Sequence, residues 1–519
     1  MITVNFSLPQ PTHPHSRRLL AAISGLMMIL ATPPLPLYFH AWFGLVPYFK
    51  ALQGAESPRE AFSLGFIFAL VWHAGTMYWI AWNSGTILIV SILSAIALAC
   101  LLSLWFAILG VLHYWLLKTF GKWAHFLAII LYMASDVVWQ YGDLTFPWIS
   151  FALSQANKIE IVQLAALGGS ALITGWVILL NVILIVGNKR WPAYVIIPAM
   201  IAGCWLWGAH REQVVYKQTS DHNLLTVAIV QGNIDPDFKY ELGSSYSLNM
   251  YDALSSADVP DSVDLMVWPE NAAPVYVEQD YRWRRFLQKL VDRIDANLIT
   301  GGRYADFHED NTRTPYNAAF NITPGSNQQF EIYQKVYLVP MGERIPFLWL
   351  FPFLDDVIDF GQANFKAGES IITWDVPVGP DTVAVTPLIC YEAIFPEAGW
   401  KAAHLDTDLL INITNDGWFT GTGQQLQHLL LSRMRSVETG RSLVRATNTG
   451  ISAFVSPSGR IEKTLGSDQR GVIIYTVEAP IDTPFVRGGW RLNFISLWAA
   501  GGLILLTAIV DIRKRLRGA

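Results

Sequence analysis

The feature that most constrains this chain is an abrupt change of character near residue 210. From about Leu19 to Ala209 it is a succession of apolar runs separated by short polar breaks, whereas from His210 to Gly489 charged residues recur at ordinary density. A last apolar run, Asn493 to Val510, gives way to Asp511-Ile512-Arg513-Lys514-Arg515-Leu516-Arg517. Crossing the hydrocarbon core of a bilayer takes about 20 apolar residues in a helix. By that measure the chain has about eight spans, near 19–35, 37–53, 61–81, 86–112, 123–140, 161–187, 191–209 and 493–510. Composition agrees: 15% of the 519 residues are charged, against about 25% in an ordinary soluble domain. With a formal net charge of −5, this balance argues against a disordered chain, a coiled coil or a nucleic-acid binder. The three cysteines, Cys100, Cys204 and Cys390, are odd in number and far apart, which excludes a disulfide framework.

Three segments follow: 1–209, a bundle of about seven spans; 210–489, a soluble block; and 490–519, one final span with a basic tail. Basic residues set the orientation, because Lys and Arg stay on the cytoplasmic side of short loops. Arg17 and Arg18 precede the first span, and Lys50 with Arg59, Lys118 with Lys122 and Lys189 with Arg190 mark alternate breaks; Lys158 departs from the pattern. Both termini are thus expected in the cytoplasm and the soluble block on the opposite face, the periplasmic side of a bacterial inner membrane. No small-residue cleavage site follows the first apolar run, so it reads as a retained span. Asp136 and His73 are the ionisable groups of note inside the spans, and an intramembrane acid is a functional candidate unless an interface hydrates it. Nothing resembles the repeated polar pathway of a transporter.

Within the soluble block, Leu224–Val230, Leu265–Trp268, Leu298–Gly301, Thr382–Ile389 and Leu409–Ile413 read as buried strands, with helical stretches such as Asp280–Asn297 and Gln424–Gly440 between them. Strands alternating with helices predict a layered α/β domain. Three of these segments carry chemistry. The strand ending at Trp268 runs into Pro269-Glu270-Asn271-Ala272-Ala273-Pro274, a stiff turn that would partly desolvate Glu270 and raise its pKa toward that of a general base. Lys335 lies in an apolar, aromatic stretch where an ammonium needs a carboxylate partner; Glu343, behind Gly342, is one candidate. Thr386–Ile389 ends in Cys390, followed by the helix-compatible Tyr391-Glu392-Ala393-Ile394. A sulfur on such an elbow feels the positive end of the helix and of Lys335, which favours thiolate, and the following N–H points where an oxyanion forms. Taken singly, each has a bland reading: a turn glutamate, a snorkelling surface lysine, a structural buried cysteine.

Glu270, Lys335 and Cys390 stand 65 and 55 residues apart, each at or near a strand end. In that order they resemble the Glu–Lys–Cys triad of the nitrilase superfamily. The words around them are more specific: Trp268-Pro269-Glu270, Leu338-Val339-Pro340-Met341-Gly342-Glu343, Ile389-Cys390-Tyr391-Glu392, Thr414-Asn415-Asp416-Gly417-Trp418-Phe419, Gln427-His428 and Arg445-Ala446-Thr447-Asn448-Thr449-Gly450 resemble the apolipoprotein N-acyltransferase family over the whole chain. The resemblance implies a multi-pass helical membrane bundle joined to a nitrilase-like α-β-β-α sandwich at 210–489. It implies a two-step acyl transfer with Cys390 as nucleophile, Glu270 as base and Lys335 with the Tyr391 N–H stabilising the oxyanion. Glu343 would orient Lys335, and Tyr391 and Glu392 would shape the way in for the acyl chain. The implied partners are a phospholipid donor, typically phosphatidylethanolamine, and membrane-tethered apolipoproteins bearing an N-terminal S-diacylglyceryl cysteine.

Neither metal nor cofactor is called for, since thioester exchange has its own driving force and the histidines show no H-E-x-x-H spacing. The apolar run Phe347–Leu354 would dip toward the leaflet or line the substrate's path. Departures from the family fall at Gly417, at Thr420 between Phe419 and Gly421, at Gly421-Thr422-Gly423, and at Lys239-Tyr240 where the family has Lys-Trp; they bear on donor preference more than on chemistry. The competing expectations are a membrane-anchored amidase or hydrolase of the same superfamily, and a transporter or scaffold with an inactive domain.

Overall fold

The computed structural model describes residues 13–187, 191–235, 243–310, 312–326, 330–353 and 364–517. Lys189, Arg190, Lys239, Tyr240 and Leu354 lie outside them. The chain divides into two compact units, the first made of Met1–Trp139, Pro147–His210 and Gly488–Ala519, the second of Gln140–Phe146 and Arg211–Arg487.

The first unit is helical. Its long helices are Pro14–Ala31, Pro58–Thr76, Leu88–Phe120, Ala124–Val138, Ala165–Val186, the start of Trp191–Thr219, and Arg491–Leu516. Among the described residues, four stretches are long and apolar enough to cross a membrane: Leu88–Val138, Ala165–Val186, Pro192–Thr219 and Phe485–Leu516. The first of these is two helices in sequence, since a turn at Gly121–Trp123 separates them. The segment read as a second span, 37–53, is broken into a 3-10 turn, Tyr38–Trp42, and the helix Val46–Gln53. Pro47 starts that helix afresh in its first turn. Its eight residues rise only about 12 Å. The two ionisable groups noted in the spans are satisfied internally: Thr174 Oγ1 donates to Asp136 Oδ2 at 2.5 Å, and His73 Nδ1 lies 3.4 Å from Ser103 Oγ.

The second unit is built on thirteen strands among the described residues: β1 (Asn223–Gln231), β2 (Leu265–Val267), β3 (Ala273–Tyr276), β4 (Asn297–Phe307), β5 (Arg313–Ile322), β6 (Glu331–Gln334), β7 (Trp374–Val378), β8 (Asp381–Ile389), β9 (Leu409–Thr414), β10 (Ser442–Thr447), β11 (Ser452–Val455), β12 (Ile461–Leu465) and β13 (Gly471–Glu478). One sheet runs β13-β1-β2-β4-β5-β6 with β3 beside β4, and the other runs β12-β11-β10-β9-β8-β7. The sheets meet where β1 packs on β10 and β5 on β8, while helix Ser244–Asp258 covers β1 and β13 and helix Gln424–Thr439 covers β10 and β11. That is the α-β-β-α layering.

Helix Tyr281–Ile294 illustrates how local sequence builds the outer layer. Asp280 caps it by accepting the Arg282 N–H at 3.0 Å, and Trp283, Leu287, Leu290, Val291 and Ile294 recur on one buried face. In each sheet the central strands are parallel, β1-β2-β4 in one and β8-β9-β10 in the other. Their carboxyl ends carry Glu270, Cys390 and Asn415-Asp416, which is where parallel α/β sheets present ligands.

Candidate active site

Glu270 follows β2 on a turn held against β4. The Trp268 N–H donates to Ile299 O at 2.8 Å and the Gly301 N–H to Pro269 O at 3.2 Å. A Cβ on Gly301 would stand 2.6 Å from Glu270 Cα, so only glycine lets the two backbones approach this closely. The Glu270 carboxylate accepts from Asn415 N at 3.0 Å on one oxygen and from Asn317 Nδ2 at 2.8 Å on the other. The Cys390 thiol is close enough for thiol and carboxylate to influence each other's titration.

Lys335 lies just past β6 and is 1% exposed. Its Nζ is 2.8 Å from Glu343 Oε1 and 3.6 Å from Glu270 Oε1. Glu343 is fixed in turn by the Val339 N–H at 2.9 Å and by Asn317 Nδ2 at 2.8 Å. One asparagine amide thus bridges two carboxylates that share one ammonium. The electrostatics follow from this count. Burial pushes the Glu270 pKa above the ordinary glutamate value and Glu343 adds to that, while Lys335, Asn317 and Cys390 only partly offset it. Burial alone would depress Lys335, but Glu343 and Glu270 together hold its pKa above the ordinary lysine value.

Cys390 is half-buried and opens a five-residue 3-10 helix, Cys390–Ile394. Its φ of +52° is a left-handed conformation for a residue with a side chain, a strained elbow of the kind that active sites retain. The thiolate expected from the sequence is not the resting state. Burial first, then the Glu270 and Asp416 carboxylates, push the thiol pKa well above the ordinary cysteine value, and Lys335 only partly opposes them. A short 3-10 turn also supplies little of the dipole that a longer helix would. The proton stays on sulfur until a base removes it.

Glu392 and Tyr391 also depart from the expectation that they shape the acyl path. The Glu392 carboxylate is fully buried and accepts from Ile389 N at 2.6 Å, Val336 N at 2.7 Å, Tyr337 N at 3.1 Å and Tyr333 OH at 2.7 Å. It therefore staples the Cys390 elbow to the segment after Lys335. Burial nonetheless raises its pKa to about 7 against these hydrogen bonds. Tyr391 is buried, and its OH donates to Thr145 O at 3.0 Å. The apolar run keeps its exposed character, with Trp349 73% exposed and Leu350, Phe351 and Phe353 also open.

Sequence reading assigned no role to Asn317, Asn412 or the Asp416–His428–Arg445 group. Asn412 Nδ2 and His428 Nε2 lie 3.3 and 3.2 Å from the Cys390 carbonyl oxygen. His428 Nδ1 is 2.9 Å from Asp416 Oδ1, and Arg445 Nη2 donates to Asp416 Oδ2 at 2.6 Å. The available signal was a polar residue inside an otherwise apolar buried strand, as with Asn317 in β5 and Asn412 in β9. Donor atoms of Cys390, Asp416 and His428 lie within 4.8 Å of one another, a set that by type could hold a zinc-like ion. Here Arg445 already neutralises Asp416, so a dication would enter against a guanidinium on one side and Lys335 on the other.

Residues 226–481, which bring a carboxylate, an ammonium and a thiol to the strand ends of an α-β-β-α sandwich, match the carbon–nitrogen hydrolase family. Residues 24–183 match the apolipoprotein N-acyltransferase N-terminal domain. The chain is 30% identical to the apolipoprotein N-acyltransferase of Azotobacter vinelandii, over 96% of this chain and 95% of that one. It is 29% identical to that of Geobacter metallireducens, over 96% of each. Among solved structures it is similar to an amidase of the nitrilase superfamily from Nesterenkonia, with 19% identity, a TM-score of 0.39, and 53% of this chain and 98% of that one covered. The chain belongs to the apolipoprotein N-acyltransferase family and is an acyltransferase.

Proposed function

We propose that Cys390 carries a fatty acyl chain, as a thioester, from a phospholipid to the α-amino group of the S-diacylglyceryl cysteine that begins an apolipoprotein. Glu270 takes the thiol proton as sulfur attacks the ester carbonyl. The Lys335 ammonium and the Tyr391 N–H stabilise the oxyanion, each such donor contributing about 3–4 kcal/mol. Collapse expels the lysophospholipid oxygen, which takes the proton back from Glu270. In the second half the acceptor's ammonium gives one proton to solvent. The free amine attacks the thioester, and Glu270 moves one of its two N–H protons to the departing sulfur, the other staying on the amide nitrogen. The net products are an amide, a lysophospholipid, the resting thiol and one proton.

The observation that carries this reading is the buried Glu270–Lys335–Glu343 cluster set beside Cys390 at the strand ends, in a chain related end to end to N-acyltransferases. The apolar helices and the exposed Trp349-Leu350-Phe351 edge support lipid substrates, which stay in the bilayer because each buried methylene adds about 0.8 kcal/mol. Phosphatidylethanolamine is the proposed donor. The proposed setting is the inner membrane, with about seven crossings before residue 210, the broken segment 37–53 counted among them, and one after 489, both termini cytoplasmic and residues 210–489 periplasmic; the basic residues of alternate short breaks support it.

The test is the fate of a labelled acyl chain. Protein, acyl-labelled phosphatidylethanolamine and a diacylglyceryl-cysteine peptide should yield label on the peptide amine. Label released as free fatty acid at the same rate with and without peptide would mark a hydrolase instead.

A further inference from the structure

The segment Gln140–Phe146 belongs to the second unit, although the chain on either side of it belongs to the first. This strap touches both halves of the site. The Asp143 carboxylate accepts from Arg344 Nη1 at 2.9 Å, Trp349 Nε1 at 2.8 Å and Phe347 N at 3.3 Å. Arg344 Nη2 donates in addition to Asp143 O at 2.7 Å, so the guanidinium fork spans the side chain and backbone of one residue. Arg344 directly follows Glu343, the partner of Lys335. Two residues further into the strap, Thr145 O accepts the Tyr391 OH at 3.0 Å, and the Phe146 ring lies 6.4 Å from that of Tyr391. Tyr391 directly follows Cys390. One short segment therefore holds the residue after the lysine's partner and the residue after the nucleophile.

The turn that carries Glu343 needs such a hold. Met341 and Phe347 have φ of +62° and +58°, and left-handed non-glycine residues persist where their surroundings over-determine them. The Asp143–Arg344 pair is about three-quarters buried, and pairs near a surface add little to global stability. Its effect is therefore expected on geometry. A displacement of about 1 Å at a reacting group can cost of order a hundredfold in rate.

We propose that the Gln140–Phe146 strap is a positioning element for acyl transfer: Asp143, through Arg344, fixes the turn that holds Glu343 against Lys335, and the Thr145 carbonyl fixes Tyr391 beside the nucleophile. This rests on the reading of Cys390 as acyl carrier.

The experiment follows acyl mass on the full-length protein over time at several phospholipid concentrations. Alkylation of Cys390 by iodoacetamide is timed in parallel. Asp143→Asn and Arg344→Lys should each slow the saturating acylation rate about tenfold. Half-saturation and the thermal unfolding midpoint should stay near wild type. The double variant should be no slower than the slower single, because both remove one contact, and Asp143→Glu should recover most of the rate. Alkylation should slow in parallel. Wild-type rates in both single variants, an effect confined to half-saturation, multiplicative slowing in the double variant, or loss of cooperative unfolding would each overturn the proposal. A wild-type protein that gains no acyl mass would overturn the acyl-carrier reading alone, since the alkylation rates still decide the role of the strap.

Discussion

Two buried carboxylates flank the same sulfur and are driven in opposite directions. Glu270, at the end of the first sheet, has its pKa raised; Asp416, at the end of the second, is pulled down to about 2. Burial raises both, so the difference lies in how many cations each can claim. Glu270 shares Lys335 with Glu343, two carboxylates to one ammonium. Asp416 has the whole of Arg445, and a hydrogen bond with His428, whose own pKa burial and Arg445 lower. The first half of the site is thereby left able to exchange a proton, while the second is locked in one charge state. It is the locked half that holds the carbonyl of the strained Cys390. Environments that push two acids apart in this way mark the one that does acid–base work.

The comparison can be broken most severely at the sulfur. Cys390→Ala should abolish acyl transfer, leaving at most the small residual rate that oxyanion and binding groups supply, of order a thousandth or less of wild type. Cooperative unfolding in the variant would show that only chemistry was lost. Next, Glu270→Gln keeps the shape and the Asn415 contact but cannot take a proton, and should slow Cys390 acylation about 10²–10⁴-fold. The sign of the pH effect follows from the raised pKa. The base works only when ionised, so wild-type acylation should climb as pH rises through a value above that of ordinary glutamate. The glutamine variant should lose this limb.

The locked half should respond in stability. Asp416→Asn leaves the Arg445 guanidinium buried without its carboxylate, and should destabilise the fold by about 3–5 kcal/mol, read by denaturant unfolding of the second unit's tyrosine and tryptophan signal. The acid limb of acylation should hardly move. If that substitution shifted the limb as strongly as changes around Glu270, the two halves would not be distinct. Asn317→Ala sharpens the contrast with the smallest effect. It removes a donor that lowers the Glu270 pKa, so the acid limb should move to higher pH, and the lost hydrogen bonds should cost about 1–3 kcal/mol.

Much of the layered unit was legible because its strands are short apolar runs bounded by turn residues. The expected Leu409–Ile413 and Asp280–Asn297 correspond to β9 (Leu409–Thr414) and helix Tyr281–Ile294. The pairing of Lys335 with Glu343 was legible too, because eight residues around Pro340 and Gly342 leave few ways to neutralise a buried ammonium. What was missed depends on strands far apart in sequence. Asn317 reaches Glu270 across 47 positions and Asn415 across 145. The state of Cys390 was misread for a similar reason: dipole and lysine are local and visible, while burial and the Glu270 charge arise only on folding. In the helical unit, hydropathy found the apolar stretches, but Pro47 and the turn before it cut residues 37–53 into pieces that a running apolar count does not register.

The central claim is that the sulfur at position 390 is transiently esterified. Intact-protein mass spectrometry after mixing with a phospholipid of defined chains tests it most directly. The account predicts a gain of one acyl mass that is absent from Cys390→Ala and discharged on adding a diacylglyceryl-cysteine peptide. Folded wild-type protein that transfers label to the peptide without ever carrying that mass would contradict it.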